Sequence, residues 1–406
     1  MRFFILNHYA YAPDQSAGTR HYELARQISK EGHEAVVISC SFFHKNYSRR
    51  PGARWKIFHK EDVQGVNYIW VYGLPYRGNG IGRILNLLSF AFFSSLFVLF
   101  NGKKGDVLYA SSPQPLAPFF TFFLSGGRFF RVFEVRDFWP QIFVDMGALS
   151  TRSRIAKLFY SVERYLISHA DFFVSNLSGA ERYCWEKEIP YKEFFWVPNG
   201  VRESYDHAVI PRIDLKGKLG VDKILYAGAH GAAQNLYAVL DAAKELKDKS
   251  NVEFHFVGDG AEKSSLQGYV SKLGIGNVFF YDAVDTKKIK EFIVSADALL
   301  LPLVDAKVFS YGISPNKLPE YLAAGKPVIF FGPADASPFE AGVDAIVTSG
   351  TEADDLVRSV IEFENMPDEV RKGFSKSASR LLESKFRLDH TMGALIRKIE
   401  AMNDVK

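Results

Sequence analysis

The sequence predicts an α/β protein made of two doubly wound parallel-sheet domains in tandem. Three observations carry this. Near-continuous apolar strands alternate with helical segments through most of the 406 residues, the pattern of parallel sheets covered on both faces. The alternation lapses once, in the polar stretch RESYDHAVIPRIDLKGKLG after Val201, and then resumes. A chain of this length also exceeds one ordinary core, so two domains of roughly 200 residues are expected.

The first domain is read over residues 1–200. RFFILN (2–7) is an apolar run, residues 19–31 set Tyr22, Ala25 and Ile28 at helical spacing, and EAVVIS follows Gly32. VNYIWVY, a long apolar helix, DVLYAS, FFRVFEV, a helix over 151–169, DFFVS, a helix around Glu181 and FFWVPNGV complete it. The second domain, 201–385, repeats the scheme: KILYAG, helix 233–247, VEFHFVGDG, helix 261–273, NVFFYDA, helix 285–296, ADALLLPL, a short helix and KPVIFFG. Residues 386–406 contain FRLDHTMGALIRKIEAM, an amphipathic helix placed to return to the first domain. Ligand is expected beyond the strand C-termini, in a cleft between the domains.

Composition narrows the function. A net charge of +4 without basic clusters argues against a nucleic-acid binder. Cys40 and Cys184 sit in apolar surroundings without CxxC spacing, which fits a reducing compartment and suggests neither metal site nor disulfide. The apolar run of MRFFILNHYAY is too short for a signal peptide, so a cytoplasmic location is expected. Twelve of the 36 phenylalanines fall between Ile81 and Phe133. Here ILNLLSFAFFSSLFVLF (84–100) is uncharged and reaches the lower edge of a membrane-spanning length. Arg77, Arg83, Lys103, Lys104, Arg128 and Arg131 border it and the following FFTFFL. Basic residues around an aromatic-rich helix suit attachment to an anionic leaflet. Region 81–131 is therefore expected to associate with a membrane surface, a buried core helix being the other reading.

The stretch SPNKLPEYLAAGKPV (314–328) carries the sharpest chemical signal. Ser314-Pro315 reads as a helix start and Gly325-Lys326-Pro327 as its stop. Pro319 is comfortable only in a first turn, so the helix should begin near Asn316 with Lys317 at its mouth. A cation is unfavourable at the positive end of a helix dipole unless an anion is shared between it and the helix amides. Glu320 lies on the same face, and a carboxylate can accept both hydroxyls of a vicinal diol such as ribose. Together they make a clamp for a nucleoside diphosphate; an i,i+3 ion pair on a solvated helix is the alternative. Gly18 before the first helix, Gly228 and Gly231 after KILYAG, and VGDG at 257–260 could bring backbone amides to phosphate. None forms GxGxxG, which disfavours a dehydrogenase. Arg136-Asp137 follows a central strand and is either a substrate contact or a loop-closing pair. No DxD triplet is present, so no metal-held diphosphate is expected.

The segments HYAYAPDQSAGTRHYELARQISKEGHEAVVIS, EVRDFWP, VPNGV, YAGAHGAAQNL, VGDG, NVFFYDAV and SPNKLPEYLAAGKPV, in that order over nearly the whole chain, resemble the family-4 glycosyltransferases of GT-B fold. The nearest branch in this resemblance acts in bacterial surface-polysaccharide and O-antigen assembly. It implies two Rossmann-like domains facing a central cleft. It also implies retaining transfer from a UDP-sugar, a HexNAc or deoxy-HexNAc, to an acceptor hydroxyl. The apolar, basic-rimmed region from Gly80 to Arg131, resting on the inner membrane leaflet, suggests a polyprenyl-diphosphate-linked saccharide as that acceptor, and no metal or other cofactor is expected. Same-face attack is the mechanism implied. In residue terms, Glu320 would bind the donor ribose and Lys317 the diphosphate, helped by amides near Gly228 and Gly231, with Ser314 and Asn316 in the same donor group. Backbone at Tyr281 and Asp282 would hold the base, Gly18 would border the donor phosphate, and Asp137 would face the reacting sugar. Arg136 and Asn199 are further candidate substrate contacts. The chain departs from the family pattern in two places. Gly312 stands where many relatives carry an acid eight residues before Glu320, and Ala229, His230 and Ala233 lie where many use an arginine and a lysine. More of the phosphate charge should then fall on Lys317. A UDP-sugar epimerase and a nucleotide-sugar-binding protein of the membrane surface without turnover remain the rival readings, and the oligomeric state is open.

Overall fold

The computed structural model describes all residues except 16, 17, 45, 79, 203, 207, 208, 405 and 406. The chain runs β1 (Arg2–Leu6), α1 (Arg20–Lys30), β2 (Glu34–Cys40), β3 (Phe42–Phe43), β4 (Ser48–Arg49), β5 (Phe58–Val63) and β6 (Val66–Val71). It continues with α2 (Ile81–Asn101), β7 (Val107–Ser111), α3 (Leu116–Ser125), β8 (Phe130–Val135), α4 (Gln141–Asp145), α5 (Arg154–His169), β9 (Phe172–Ser175), α6 (Ala180–Glu186) and β10 (Phe194–Trp196). Then come β11 (Asp222–Ala227), α7 (Leu236–Leu246), β12 (Val252–Val257), α8 (Lys263–Leu273), β13 (Val278–Tyr281), α9 (Thr286–Ser295) and β14 (Ala298–Pro302). Last are α10 (Lys317–Ala323), β15 (Val328–Phe331), β16 (Ile346–Val347), α11 (Ala353–Glu364), α12 (Asp368–Leu381) and α13 (Leu388–Asn403). Two compact units divide the chain: unit 1 is Met1–Pro198 with Leu388–Lys406, and unit 2 is Asn199–Arg387.

Unit 1 holds an eight-stranded sheet in the order β10-β9-β8-β7-β1-β2-β6-β5. Apart from its last pair it is parallel, and its strands are buried almost throughout because helices cover both faces. The β5–β6 pair is antiparallel, against the expectation of a purely parallel sheet. The reason lies in its turn, where Gln64 (φ 52°) and Gly65 (φ 83°) both take positive φ, the backbone of a tight two-residue hairpin. The charged, alternating FHKEDV of β5 then serves as a protected edge. From α13, Leu388, Met392, Leu395, Ile396 and Ile399 join Leu24, Ala25 and Ile28 of α1 in one core, so the last helix belongs to unit 1.

Unit 2 holds a six-stranded parallel sheet in the order β13-β12-β11-β14-β15-β16. Strand order reverses between β11 and β14, which pair directly. The stretch after Val201 is no loose linker: Tyr205 and Leu215 are buried in unit 2, and Lys216 N–H donates to the Tyr281 hydroxyl at 2.8 Å.

The long apolar helix is not a buried core element. Over its 18-residue apolar window only 33% is buried. Its inward face carries Asn86, Phe90, Ala91, Ser94, Ser95 and Val98, while Ile84, Leu85, Leu88 and Phe92 point outward. The Ser95 and Thr121 hydroxyls hydrogen-bond at 2.8 Å and fix α2 to α3, whose Phe123 and Leu124 are also exposed.

Candidate functional site

In an open α/β sheet, ligands bind beyond the strand C-termini where strand order reverses. In unit 2 that point lies between the loop after β11 and the segment after β14. The first contributes Gly228; the second leads into α10, whose N-cap is Asn316 and whose first residue is Lys317. The helix start read from the sequence therefore stands, and so does its stop, since Gly325 takes the left-handed φ of 58° just past the end.

Lys317 is held by geometry rather than by a counter-charge. Its Nζ lies 3.9 Å from the centre of the Tyr226 ring, a cation–π contact. A β-carbon on Gly228 would stand 2.7 Å from that Nζ and 3.0 Å from Cε, so any larger residue there would push the amine aside. No carboxylate among the described residues pairs with Lys317, and burial alone brings its amine down from 10.5 to about 7. The i,i+3 ion pair with Glu320 does not form. Glu320 instead accepts a hydrogen bond on Oε2 from the Tyr205 hydroxyl. Its Oε1 has no protein partner among the described residues, so Glu320 retains half the acceptor capacity that the sequence suggested.

The loop bearing Gly228 is pinned from three sides. Gly228 N–H donates to the Val257 carbonyl at 2.9 Å and His230 N–H to the Asp259 carbonyl at 2.9 Å. Ala227 N–H donates to the Tyr321 hydroxyl at 2.8 Å, and the Tyr226 hydroxyl donates to the Ala229 carbonyl at 2.5 Å. Gly258 (φ 149°) makes this close approach possible: a β-carbon there would meet the Gly228 carbonyl oxygen at 1.9 Å. Backbone cannot yield as a flexible side chain can, so Gly258→Ala should displace the Gly228 loop and weaken nucleotide binding, roughly 10-fold or more for a strained backbone site. Calorimetric titration with UDP checks this, with far-UV circular dichroism expected to stay unchanged. Gly231, by contrast, has φ −140°, and a β-carbon would meet only Gln234 Oε1 at 3.3 Å. Its conformation does not require glycine.

Other expected residues are placed differently from their expected roles. The Tyr281 side chain turns into unit 2, where its hydroxyl hydrogen-bonds His255 Nδ1 at 3.0 Å. Its carbonyl accepts from Lys263 Nζ at 3.1 Å, and the same ammonium donates to Asp282 Oδ1 at 2.8 Å and to the Gly258 carbonyl at 3.0 Å. The backbone expected to hold the base is thus organised by Lys263, which sequence reading missed. Ser314 and Asn199 hold each other: Asn199 N–H donates to Ser314 Oγ at 2.9 Å and its side-chain amide to the Ser314 carbonyl at 2.6 Å. Asn199 fixes the approach to α10, and Asn316 is exposed beside Lys317. His230 is fully buried among Tyr226, Phe256 and Phe280, with neither ring nitrogen hydrogen-bonded. Burial, then the charge of Lys263, lowers it to about 4, so it is neutral near pH 7 and supplies no cation in place of the absent arginine and lysine.

In unit 1, Gly18 is exposed just before α1, while Ser16 and Ala17 of the same expected loop lie outside the described residues. Arg136 and Asp137 follow β8, and both backbone N–H groups face Ser112 Oγ, at 2.8 and 3.5 Å. Asp137 reaches solvent; crowding by surrounding protein raises its carboxyl, against the opposing pull of Arg136. The two do not form a loop-closing ion pair. Among the described residues no three His, Cys, Asp or Glu side chains gather as a metal site.

Residues 221–365 match the family model described as glycosyl transferases group 1. Over 318 residues, 75% of this chain and 76% of the other, the sequence is 24% identical to WcaI of Escherichia coli K12, a protein named for glycosyl transfer in colanic acid biosynthesis. The matches support glycosyl transfer as the activity, and the family match itself lies within unit 2. Solved structures agree on its fold. Sucrose-phosphate synthase from Thermosynechococcus elongatus superposes with a TM-score of 0.76 at 15% identity, covering 98% of this transferase and 99% of that chain. Anabaena HepE, solved with UDP and glucose, gives 0.68 at 13% identity, covering 99% of both chains. WaaG, titled a glycosyltransferase involved in lipopolysaccharide biosynthesis, gives 0.66 at 14% identity, covering 98% of this transferase and 99% of that chain.

Proposed function

We propose that the transferase moves a sugar, with retention, from a UDP-sugar to a hydroxyl of a polyprenyl-diphosphate-linked saccharide in cell-surface polysaccharide assembly. A HexNAc or deoxy-HexNAc is the sugar favoured. The observation that carries the donor half is the unpaired Lys317 amine beside Gly228 at the point of strand-order reversal. Names of WcaI and WaaG favour a surface-polysaccharide role, and the UDP in HepE favours uridine. The leaving diphosphate would be stabilised by Lys317 and loop amides, fixed dipoles doing the work of a metal. Asp137 would face the reacting sugar, and the departing phosphate oxygen would take the proton of the incoming hydroxyl, with orientation as the protein's main contribution. A panel of nucleotide-sugars tested for binding and for acceptor-dependent UDP release, without and with chelator, decides the proposal. UDP release indifferent to every acceptor would overturn it.

The ribose contact has its own test. With Oε1 of Glu320 open to a hydroxyl, wild type should prefer UDP over 2′-deoxy-UDP. Glu320→Ala should bind UDP about 10–100-fold more weakly, the range of a hydrogen bond to a charged group, and lose the preference. An unchanged preference would remove Glu320 from the ribose site.

We also propose that the outward face of α2 and α3 rests on the inner leaflet. Burying one large apolar side chain is worth about 1.5–3 kcal/mol, so Ile84, Leu85, Leu88, Phe92, Phe123 and Leu124 would dominate attachment. The basic rim is smaller than the sequence suggested. Arg128 donates to the Leu99 carbonyl at 2.8 Å and to the Gly102 carbonyl, closing the C-terminus of α2, and Arg83 donates to the Tyr9 hydroxyl at 3.3 Å. Lys103 and Lys104 remain exposed. Phe92→Ser with Phe123→Ser should release the protein from anionic vesicles in a flotation assay. Lys103→Ser with Lys104→Ser should make binding weaker and less salt-dependent.

A further inference from the structure

Unit 1 contains a charge cluster around the buried Glu134 in which one cation, the Arg136 guanidinium, has no hydrogen-bonded partner among the described residues. Glu134 is 1% exposed and its carboxylate is engaged on both oxygens: Arg20 Nε and Nη2 each lie 2.7 Å from Oε1, the Tyr109 hydroxyl donates to Oε1 at 2.9 Å, and the Ser111 hydroxyl donates to Oε2 at 2.6 Å. Arg136, two residues further on, makes no hydrogen bond to Glu134. Its guanidinium has no ion pair or hydrogen bond among the described residues, and its Nε is buried without a partner. His21, 2% exposed, also has an unpartnered Nε2, 3.7 Å from Glu134 Oε2 and too far for a good hydrogen bond. Buried polar groups are normally paired, and a guanidinium offers a planar fork suited to phosphate or carboxylate. These two unpartnered nitrogens, on side chains close enough to feel each other's charge, mark where no protein acceptor has been supplied. The place is also apt, since β8 ends next to β7, which borders the reversal of strand order in this sheet.

We propose that Arg136, backed by His21, is an oxyanion receptor for the acceptor substrate, taking either the diphosphate of a lipid carrier or the carboxylate of an acidic sugar. The proposal rests on the acceptor reading above, in which the neighbouring Asp137 faces the reacting sugar. Its consequence is that the acceptor carries its negative charge close to the hydroxyl that attacks, as a short lipid-linked saccharide or a uronic acid does and a long neutral glycan does not. Burial lowers the Arg136 guanidinium and, with the charge of Arg136, holds His21 at about 3. His21 is therefore neutral near pH 7, and the positive charge available to an anion is that of Arg136.

The test uses the full chain saturated with UDP, so that anions added afterwards do not compete for the donor site. Farnesyl diphosphate, farnesol and glucuronic acid are titrated into wild type, Arg136→Gln and Arg136→Lys. If the carrier diphosphate is the ligand, Arg136→Gln weakens farnesyl diphosphate about 10–100-fold, Arg136→Lys weakens it less, and farnesol is unaffected. The same dependence confined to glucuronic acid assigns the carboxylate instead. Binding of both anions that ignores Arg136 overturns the receptor, as does an equal loss of UDP affinity in Arg136→Gln, which would mean a shared structural cause. On wild-type protein, phenylglyoxal modification of Arg136 read by peptide mass spectrometry gives a second measure: the bound anion should protect it, and lack of protection refutes the assignment. The two readings fail separately, since a wild type that binds no UDP strikes the donor site and Arg136-independent anion binding strikes this one.

Discussion

Lys317→Ala should reduce kcat/KM by about 10²–10³-fold, the usual loss when one preorganised group opposite developing negative charge is removed. The magnitude is expected to be high for this chain because the neighbouring positions offer no substitute. His230 is buried and neutral, Ala229 and Ala233 carry no charge, and Lys263 is committed to Asp282 and two carbonyls. A steady-state comparison with Glu320→Ala separates the two roles. Glu320→Ala should act chiefly on KM, because a ribose contact is the same in ground and transition states, whereas Lys317→Ala should lower kcat as well. A loss confined to KM would place Lys317 in ground-state binding alone.

The same residue predicts a pH signature. Burial leaves the Lys317 amine at about 7 in the free protein, so above that pH it is largely uncharged until an anion arrives. A bound diphosphate favours the ammonium and raises the pKa, so binding takes up a proton. UDP affinity should therefore fall as pH rises above 7, by up to tenfold per unit for one proton. Calorimetry at pH 8 in buffers of different ionisation enthalpy should register that uptake in wild type and none in Lys317→Ala. The stability sign is opposite. The folded pKa is below the unfolded value of 10.5, so the cost of burying the charge is full below about pH 7 and is relieved as pH rises towards 10.5.

How much of this was legible in the sequence follows from which interactions are local. The succession of strands and helices along the chain, the start of α10 and the place of Lys317 on it are set by short-range rules: apolar runs, a proline confined to a first turn, a glycine past the end. They could be read directly. Tyr205 on Glu320 and Tyr226 under Lys317 could not be, because each contact joins residues about a hundred positions apart. Gly258 was visible as a turn residue, yet its purpose, letting one loop backbone touch another, appears only in three dimensions. The hairpin edge of unit 1 was missed because FHKEDV is charged on its exposed face and lacks the apolar continuity of the central strands. Arg128 was assigned to lipid on composition alone; whether an arginine caps a helix or faces a membrane depends on which carbonyls lie within reach.

Arg20→Ala should cost unit 1 about 3–5 kcal/mol, the price of leaving a buried carboxylate without its partner. Arg20 is 8% exposed and does more than neutralise Glu134: Nη1 donates to the Pro198 carbonyl at 3.0 Å and Nη2 to the Val197 carbonyl at 2.7 Å, so α1, β8 and the segment after β10 meet at one side chain. For a unit of about 200 residues such a loss corresponds to roughly 10 °C in Tm. Urea denaturation followed by hydrogen exchange in β1, β7 and β8 should localise it, while UDP affinity, assigned by the proposal to unit 2, should stay near wild type. A paired replacement, Arg20→Met with Glu134→Leu, should recover part of the stability, because two charges removed together leave neither stranded. The acid limb gives an independent check. Burial by itself would raise the Glu134 carboxyl, but Arg20 and its neighbours overcome that and hold it at about 2 against an ordinary 4.5. The stabilisation is then complete above pH 4.5 and lost as pH falls towards 2. Glu134→Gln should flatten that limb, and an Arg20→Ala protein with unchanged midpoint and unchanged acid response would show that the cluster contributes nothing to holding unit 1 together.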